Sequence, residues 1–215
     1  VVLCGTPTCF RWACGRAGPR RTPLVAINRS SQDLRSGIRT ADHALHADPA
    51  SLALALQSLN EASPIQTAPT WLAELQAVDA ARDAEIRKEA CEDACNRINQ
   101  RPAINPLALL EKLQRRMPPN TVLVGDGGDF VAEASYVLRP PGPLSWLDPG
   151  PFGTLGVGGG FALGASVVLP HKQVWILWGD GASGFSLAEY DTFVRHRTPV
   201  LAVIGNDASW AQIAR

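Results

Sequence analysis

Three short apolar runs, each closed by a glycine next to Asp or Asn, constrain the second half of this chain more than any other feature. Thr121–Val124 leads into Gly125-Asp126-Gly127-Gly128, Val174–Trp178 into Gly179-Asp180-Gly181, and Val200–Ile204 into Gly205-Asn206-Asp207. Uninterrupted apolar runs of this length suit strands buried on both faces. Helical patterns fall between them, near Phe130–Leu138, over Gly156–Leu169 and over Leu187–Arg197. Strand and helix in alternation predict a parallel sheet with crossover helices, so the fold class is α/β. A further helix opens at Asn105-Pro106, carries Leu110, Leu113 and Met117 on one stripe, and stops at Pro118-Pro119.

Upstream the signals change. Val1–Leu3 and Leu24–Ile27 read as short buried parallel strands, and Asp48-Pro49 opens a helix with Leu52, Leu56 and Leu59 on one face; Asp accepts from free N–H groups there and Pro tolerates the first turn. Residues 1–62 are therefore expected to be the C-terminal part of an α/β domain. Residues 63–104 read as a helical connector. Pro64 and Pro69 bracket a loop, Thr70 caps a helix from Trp71 to about Ile98, and charges of both signs surround its middle, which suits a solvated arm. Residues 105–215 form the third region.

Composition narrows the function classes. Of the 215 residues 46% are hydrophobic and 19% charged, with a formal net charge of zero, so no global field draws the chain to nucleic acid or an anionic surface. Arg11, Arg16, Arg20 and Arg21 crowd one segment; a solvated loop accounts for them better than a phosphate-facing patch. The five cysteines lack the density of a disulfide scaffold, and Cys91 with Cys95 on one helical face has no neighbouring ligands to complete a zinc site. No apolar stretch reaches the ~20 residues of a membrane span. The chain has no signal-peptide pattern and opens on Val1-Val2-Leu3 without an initiator methionine, from which we expect a start within a longer protein.

The chemistry lies at the strand ends. Neighbouring parallel strands bring their carboxyl ends to one edge, where open α/β sheets bind ligands. Asp180 and Asn206 are 26 positions apart, yet this geometry brings their oxygens together. A hard cation such as Mg²⁺ takes such oxygens and shares its shell with phosphates. Gly181 and the residues after it let backbone N–H groups approach a diphosphate. Ser186 and Glu189 have capping-box spacing, and the helix they open would turn its positive end toward the site. The plainer alternative is that Asp-Gly and Asn-Asp merely make turns after strands. A nicotinamide-type glycine fingerprint at Gly156-Val157-Gly158 fails, because Phe161 stands where Gly or Ala is required and no strand precedes it.

Gly179-Asp180-Gly181 followed at this distance by Asn206 resembles the diphosphate–metal motif of thiamine-diphosphate enzymes. The family usually has two adjacent asparagines; Gly205 replaces the first here. The resemblance implies Asp180, Asn206 and the Ala208 carbonyl as Mg²⁺ ligands, with Gly181, Ala182 and Ser183 at the diphosphate. Residues 149–158 resemble the acetolactate-synthase segment that cradles the pyrimidine ring, which implies Gly153 as a carbonyl acceptor and Leu155 as a wedge between the cofactor's rings, with core filler the alternative for Leu155. Gly127-Gly128-Asp129-Phe130 stands where related synthases place Gly-Gln-His-Gln; Gly128 is expected at the diphosphate and Asp129 as a cap of its own helix. The nearest resemblance is to the acetolactate-synthase-like, 2-hydroxyacyl-CoA lyase branch, through residues 105–215 and the strands of 1–30. The motifs at 127–131, 146–150 and 191–196 carry it, and His196 is expected to be structural.

By this resemblance the chain is the Mg²⁺- and thiamine-diphosphate-binding segment of a carbon–carbon lyase, working through a C2 carbanion of the cofactor on a 2-hydroxyacyl-CoA or 2-keto acid. FAD stays open, since acetolactate synthases hold it partly through the middle domain, of which residues 1–62 would be a remnant. The activating glutamate comes from an N-terminal domain, usually of a neighbouring subunit in a homo-oligomer, and no stretch here resembles that domain. We therefore assign no catalytic residue and expect a truncated domain, incomplete at its C-terminus; the alternative is a catalytically silent cofactor-binding or interaction fragment. The resemblance also implies an endoplasmic reticulum membrane location for the parent, through an N-terminal segment not present in this sequence.

Overall fold

The apolar runs form parallel strands in two separate compact units, Val1–Ala73 and Glu74–Arg215, of a computed structural model. The structure describes residues 1–18, 20–91, 97–98 and 101–214. In the first unit β1 (Val2–Cys4), β2 (Val25–Asn28) and β3 (His43–His46) make a parallel sheet in that order. Leu3, Leu24 and Ala26 are its core. The sequence pattern did not indicate β3, because all four of its residues are exposed and its strand character comes from pairing with β2. Helix α1 (Ala50–Ala62) follows, and Asp48 Oδ1 accepts from the Ala50 amide at 3.0 Å as expected of an opening Asp. Arg29 bonds the other oxygen and holds the Asp48 carboxyl below its usual range.

Helix α2 (Pro69–Cys91) runs across the boundary between the units. Two expectations are corrected here. Thr70 lies inside the helix, and Arg97–Ile98, expected near its end, is instead a short strand, β4, antiparallel to β5 (Arg101–Pro102). Cys95 lies outside the described residues, so the Cys91/Cys95 pairing does too. Only Ile86 and Ala90 of α2 are buried, in keeping with its mixed charge.

The second unit holds the site. Asn105 caps α3 (Pro106–Arg116) by accepting from the Leu107 and Ala108 amides at 2.9 and 3.4 Å, satisfying donors that a helix start leaves open. Its sheet comprises β6 (Thr121–Asp126), β7 (Trp146–Leu147), β8 (Gln173–Gly179) and β9 (Val200–Gly205), all parallel, in the order β7-β6-β8-β9. The crossovers carry α4 (Asp129–Val137), α5 (Gly158–Val168), the single turn α6 (Asp180–Ser183) and α7 (Glu189–Arg195). A last turn, α8, covers Ala211–Ala214. The two-residue pleat sorts the strand residues. Val122, Val124, Val174, Ile176 and Trp178 pack with Ala162 and Ala165 of α5 and Phe193 of α7. Leu123, Trp175 and Leu177 pack with Leu110 of α3 and Phe130 and Ala134 of α4. Both faces are thus covered, as continuous apolar strands require. Asp126 is on the even-numbered side of β6, which α5 covers.

Candidate cofactor site at the β6–β8 edge

The connection leaving β6 turns toward β7, and the one leaving β8 turns toward β9. Their carboxyl ends therefore flank the point where the loops diverge, the usual ligand crevice of an open α/β sheet. Gly127-Gly128, Asp180–Gly184 and Asn206–Ala208 all leave the sheet along this edge. The Gly179 amide donates to the Gly127 carbonyl at 3.2 Å. A Cβ at Gly179 would lie 3.1 Å from that same oxygen, so glycine is what permits the approach.

Asp180 and Asn206 converge here. Asp180 Oδ2 and Asn206 Oδ1 each accept from the Ala208 amide at 2.9 Å, which places two oxygens from different loops around one N–H. Asp180 Oδ1 accepts from Gly181 at 2.7 Å. Ala208 has φ of 56°, a left-handed residue that turns its N–H back toward Asn206 in an Asx-type turn. Asp180 is half-buried and Asn206 exposed. A carboxylate has about four acceptor positions, so this oxygen pair retains capacity on its open side. Among the described residues no group of three or more His, Cys, Asp or Glu could hold a metal. A soft or nitrogen-rich metal site is not what this donor set suits; a hard cation completed by phosphate and water is.

The remaining sequence-derived residues fall around this pair. Gly128 has φ of 87°, precedes α4 at its N-cap and sits against Gly179. Asp129 is thus in the first turn and not the cap, a correction of the expectation that it closes its own helix. Gly181 lies under the Trp210 ring, 3.3 Å from where its Cβ would be. Ala182 and Ser183 are buried, and the Ser183 hydroxyl donates to the Asp180 carbonyl at 2.7 Å, so neither side chain faces out of the edge. Gly153 is exposed and left-handed, with open space where a Cβ would stand. Leu155 is half-buried; its Cδ2 fills the place of a Gly127 Cβ, which brings the 153–158 segment to the same edge.

One other expectation changes. Ser186 does not cap a helix with Glu189: its hydroxyl donates to the Gly156 carbonyl at 2.7 Å, and α7 begins at Glu189 behind Ala188. Long-range tethering has displaced the local capping bond. His196 is exposed at the C-terminal end of α7, where the chain turns back to start β9, at the opposite sheet edge from Asp180. Sequence reasoning missed Asp126. Its carboxylate is fully buried and accepts from the Gly156 amide at 3.0 and 3.2 Å, the Gly158 amide at 2.8 Å and Trp178 Nε1 at 3.0 Å. The signal available was a second Gly-Asp-Gly at a strand end. Tyr190, packed on Trp178 with ring centroids 5.9 Å apart, has its phenol pushed up by burial.

Fold and edge together define a class. Residues 122–215 match the thiamine pyrophosphate enzyme C-terminal TPP binding domain. Within that class it is similar over its whole length to 2-hydroxyacyl-CoA lyase 2, with 43% identity to the Caenorhabditis elegans protein and 43% to the Homo sapiens protein. It is 33% identical over 98% of its length to a probable acetolactate synthase of Mycobacterium bovis. The chain spans about a third of these relatives, 33% of each lyase and 36% of the synthase. The fold is also that of the Rhodococcus jostii RHA1 thiamine diphosphate-dependent 4-hydroxybenzoylformate decarboxylase, with a TM-score of 0.70 at 17% identity over 99% of this chain and 36% of that one.

Proposed function

We propose that this chain holds Mg²⁺ and thiamine diphosphate for a carbon–carbon lyase whose substrate is a 2-hydroxyacyl-CoA. The observation that carries the reading is the convergence of the Asp180 and Asn206 oxygens on one amide at the sheet edge. Identity of 43% to the lyases against 33% to the synthase favours the acyl-CoA over a 2-keto acid. Asp180, Asn206 and the Ala208 backbone would hold the metal. Gly128, Gly181 and the backbone of Ala182 and Ser183 would face the diphosphate, and Gly153 and Leu155 the pyrimidine. When bound, the cofactor supplies a nucleophilic carbon that stores the electrons released on carbon–carbon cleavage, while the protein supplies orientation and electrostatics. The residues of this chain would hold the metal and diphosphate and seat the ring system; none of them is assigned a proton transfer. We place the group that moves the proton in another domain of a homo-oligomeric parent, across a subunit interface. Residues 1–62 would be part of its middle domain, 63–104 the connector and 105–215 the diphosphate-binding domain. A location at the endoplasmic reticulum membrane belongs to the same proposal, and flavin does not.

The test is a titration of the purified chain with Mg²⁺ and thiamine diphosphate, by calorimetry and by thermal unfolding, alongside Asp180→Ala. A ligand at 100 times its Kd stabilises the folded state by about 2.7 kcal/mol, or about 5–10 °C for a domain of this size. That rise should require Mg²⁺ and vanish in Asp180→Ala. Equal shifts in both proteins would remove Asp180 from the ligand set, and no heat of binding in the unaltered chain would overturn the reading.

A further inference from the structure

We infer that Asp126 is a positioning residue for the cofactor's ring system, an inference that rests on the proposed function. A carboxylate with no exposed surface costs free energy unless its charge is met by partners. Among the described residues Asp126 has no ion pair; its partners are the amides of Gly156 and Gly158 and the indole N–H of Trp178. Gly158 is also the first residue of α5, whose positive end favours an anion. These two amides bracket the segment that carries Leu155. Gly156 is held on both sides, its N–H donating to Asp126 and its carbonyl accepting from Ser186. Gly158 has no room for a side chain, since a Cβ would lie 2.9 Å from the Asp126 carboxylate and 2.6 Å from Trp178 Nε1. The carboxylate therefore fixes the segment 155–158 to β6 and β8, and with it the distance from Leu155 to Gly127-Gly128.

The diphosphate grip is built from other residues, so the two halves of the ligand depend on Asp126 differently. An amide at this position keeps the size but presents an N–H₂ where an N–H donor already points. Asp126→Asn should weaken binding of Mg²⁺–thiamine diphosphate by about tenfold or more, the scale seen when groups behind a ligand shell are lost. Mg²⁺–pyrophosphate, which has no rings, should bind as before. Amide hydrogen exchange at Gly156 and Gly158 should quicken in the ligand-free chain. Ser186→Ala, which frees the Gly156 carbonyl and leaves the carboxylate in place, should give the same split in weaker form. Parallel loss of both ligands in these variants, or loss of neither, overturns the inference. If the unaltered chain binds neither ligand, the functional reading falls and takes this inference with it. If Asp180→Ala keeps its pyrophosphate affinity, the metal assignment alone falls.

Discussion

Replacing Gly205 with alanine should destabilise the second unit, although its backbone accepts any residue. Gly205 is not among the left-handed glycines, so no strain in φ opposes the change, and the usual entropic gain of about 0.4–1 kcal/mol would favour it. Space opposes it. An added Cβ would lie 2.2 Å from Phe130 Cγ, 2.7 Å from Cδ2 and 2.6 Å from Cβ. The ring can rotate, but Phe130 Cβ is fixed to α4, so α4 or β9 must shift. Forced overpacking of this kind costs about 1–3 kcal/mol. Phe130 is 8% exposed and packs with Leu123, Trp175 and Leu177, so Phe130→Ala alone should cost about 3–5 kcal/mol. In the double variant the 2.6 Å contact with the β-carbon at position 130 remains, but the contacts with Cγ and Cδ2 are gone, and the space the ring leaves lets α4 or the strand shift to relieve it. The double variant should then be more stable than the sum of the two by about 1 kcal/mol or more, well outside the ~0.5 kcal/mol scatter of independent sites. Urea unfolding followed by fluorescence of the buried Trp175 and Trp178 reads this out. With a slope near 2 kcal/mol/M, a cost of about 1–3 kcal/mol moves the Gly205→Ala midpoint down by about 0.5–1.5 M. Additive effects, or a Gly205→Ala variant stabilised by the entropic amount, would refute the account.

Two other outcomes follow from the geometry. Gly158→Ala, at the start of α5 where glycine is ordinarily the poorer residue by about 0.5–1 kcal/mol, should instead destabilise by about 1–3 kcal/mol and weaken thiamine diphosphate binding as Asp126→Asn does, measured by urea unfolding and calorimetry. Asp48 should titrate below an ordinary aspartate, because of the Arg29 hydrogen bond first and the Ala50 amide second. A depressed folded pKa contributes stability above the unfolded pKa and loses it as the pH falls through the folded one, but the pair is exposed and the effect small. Carboxyl NMR should show the Asp48 midpoint rise in Arg29→Ala.

What the sequence made legible depended on how locally each feature is determined. β6, β8 and β9 were readable because each is an apolar run ended by glycine, and the convergence of Asp180 with Asn206 follows from parallel neighbours alone. β7 was not, since Trp146–Leu147 is two residues inside a proline- and glycine-rich loop and becomes a strand by pairing with Leu123 and Val124. β3 has no buried residue to mark it. The Ser186 capping box had the right spacing, but a carbonyl 30 residues away took the hydroxyl. Local patterns announce an element, and long-range partners decide what its polar groups do.

The two Gly-Asp-Gly tripeptides show why a motif alone does not identify a ligand residue. Gly125-Asp126-Gly127 and Gly179-Asp180-Gly181 end adjacent strands, yet their carboxylates have different surroundings. The register decides. Asp126 pairs across the ladder with Trp178, so it lies within the sheet, whereas β8 makes its last pairing at Gly179 with Gly205 and Asp180 lies beyond it. Inside the ladder, under α5, water cannot reach a carboxylate, and the protein must solvate it with fixed N–H groups; three donors fill Asp126. Beyond the ladder two amides serve Asp180 and its remaining acceptor positions face outward. A displacement of two residues along the ladder thus separates a carboxylate bonded to a backbone segment from one that, on the proposed reading, would hold a cation beside that segment.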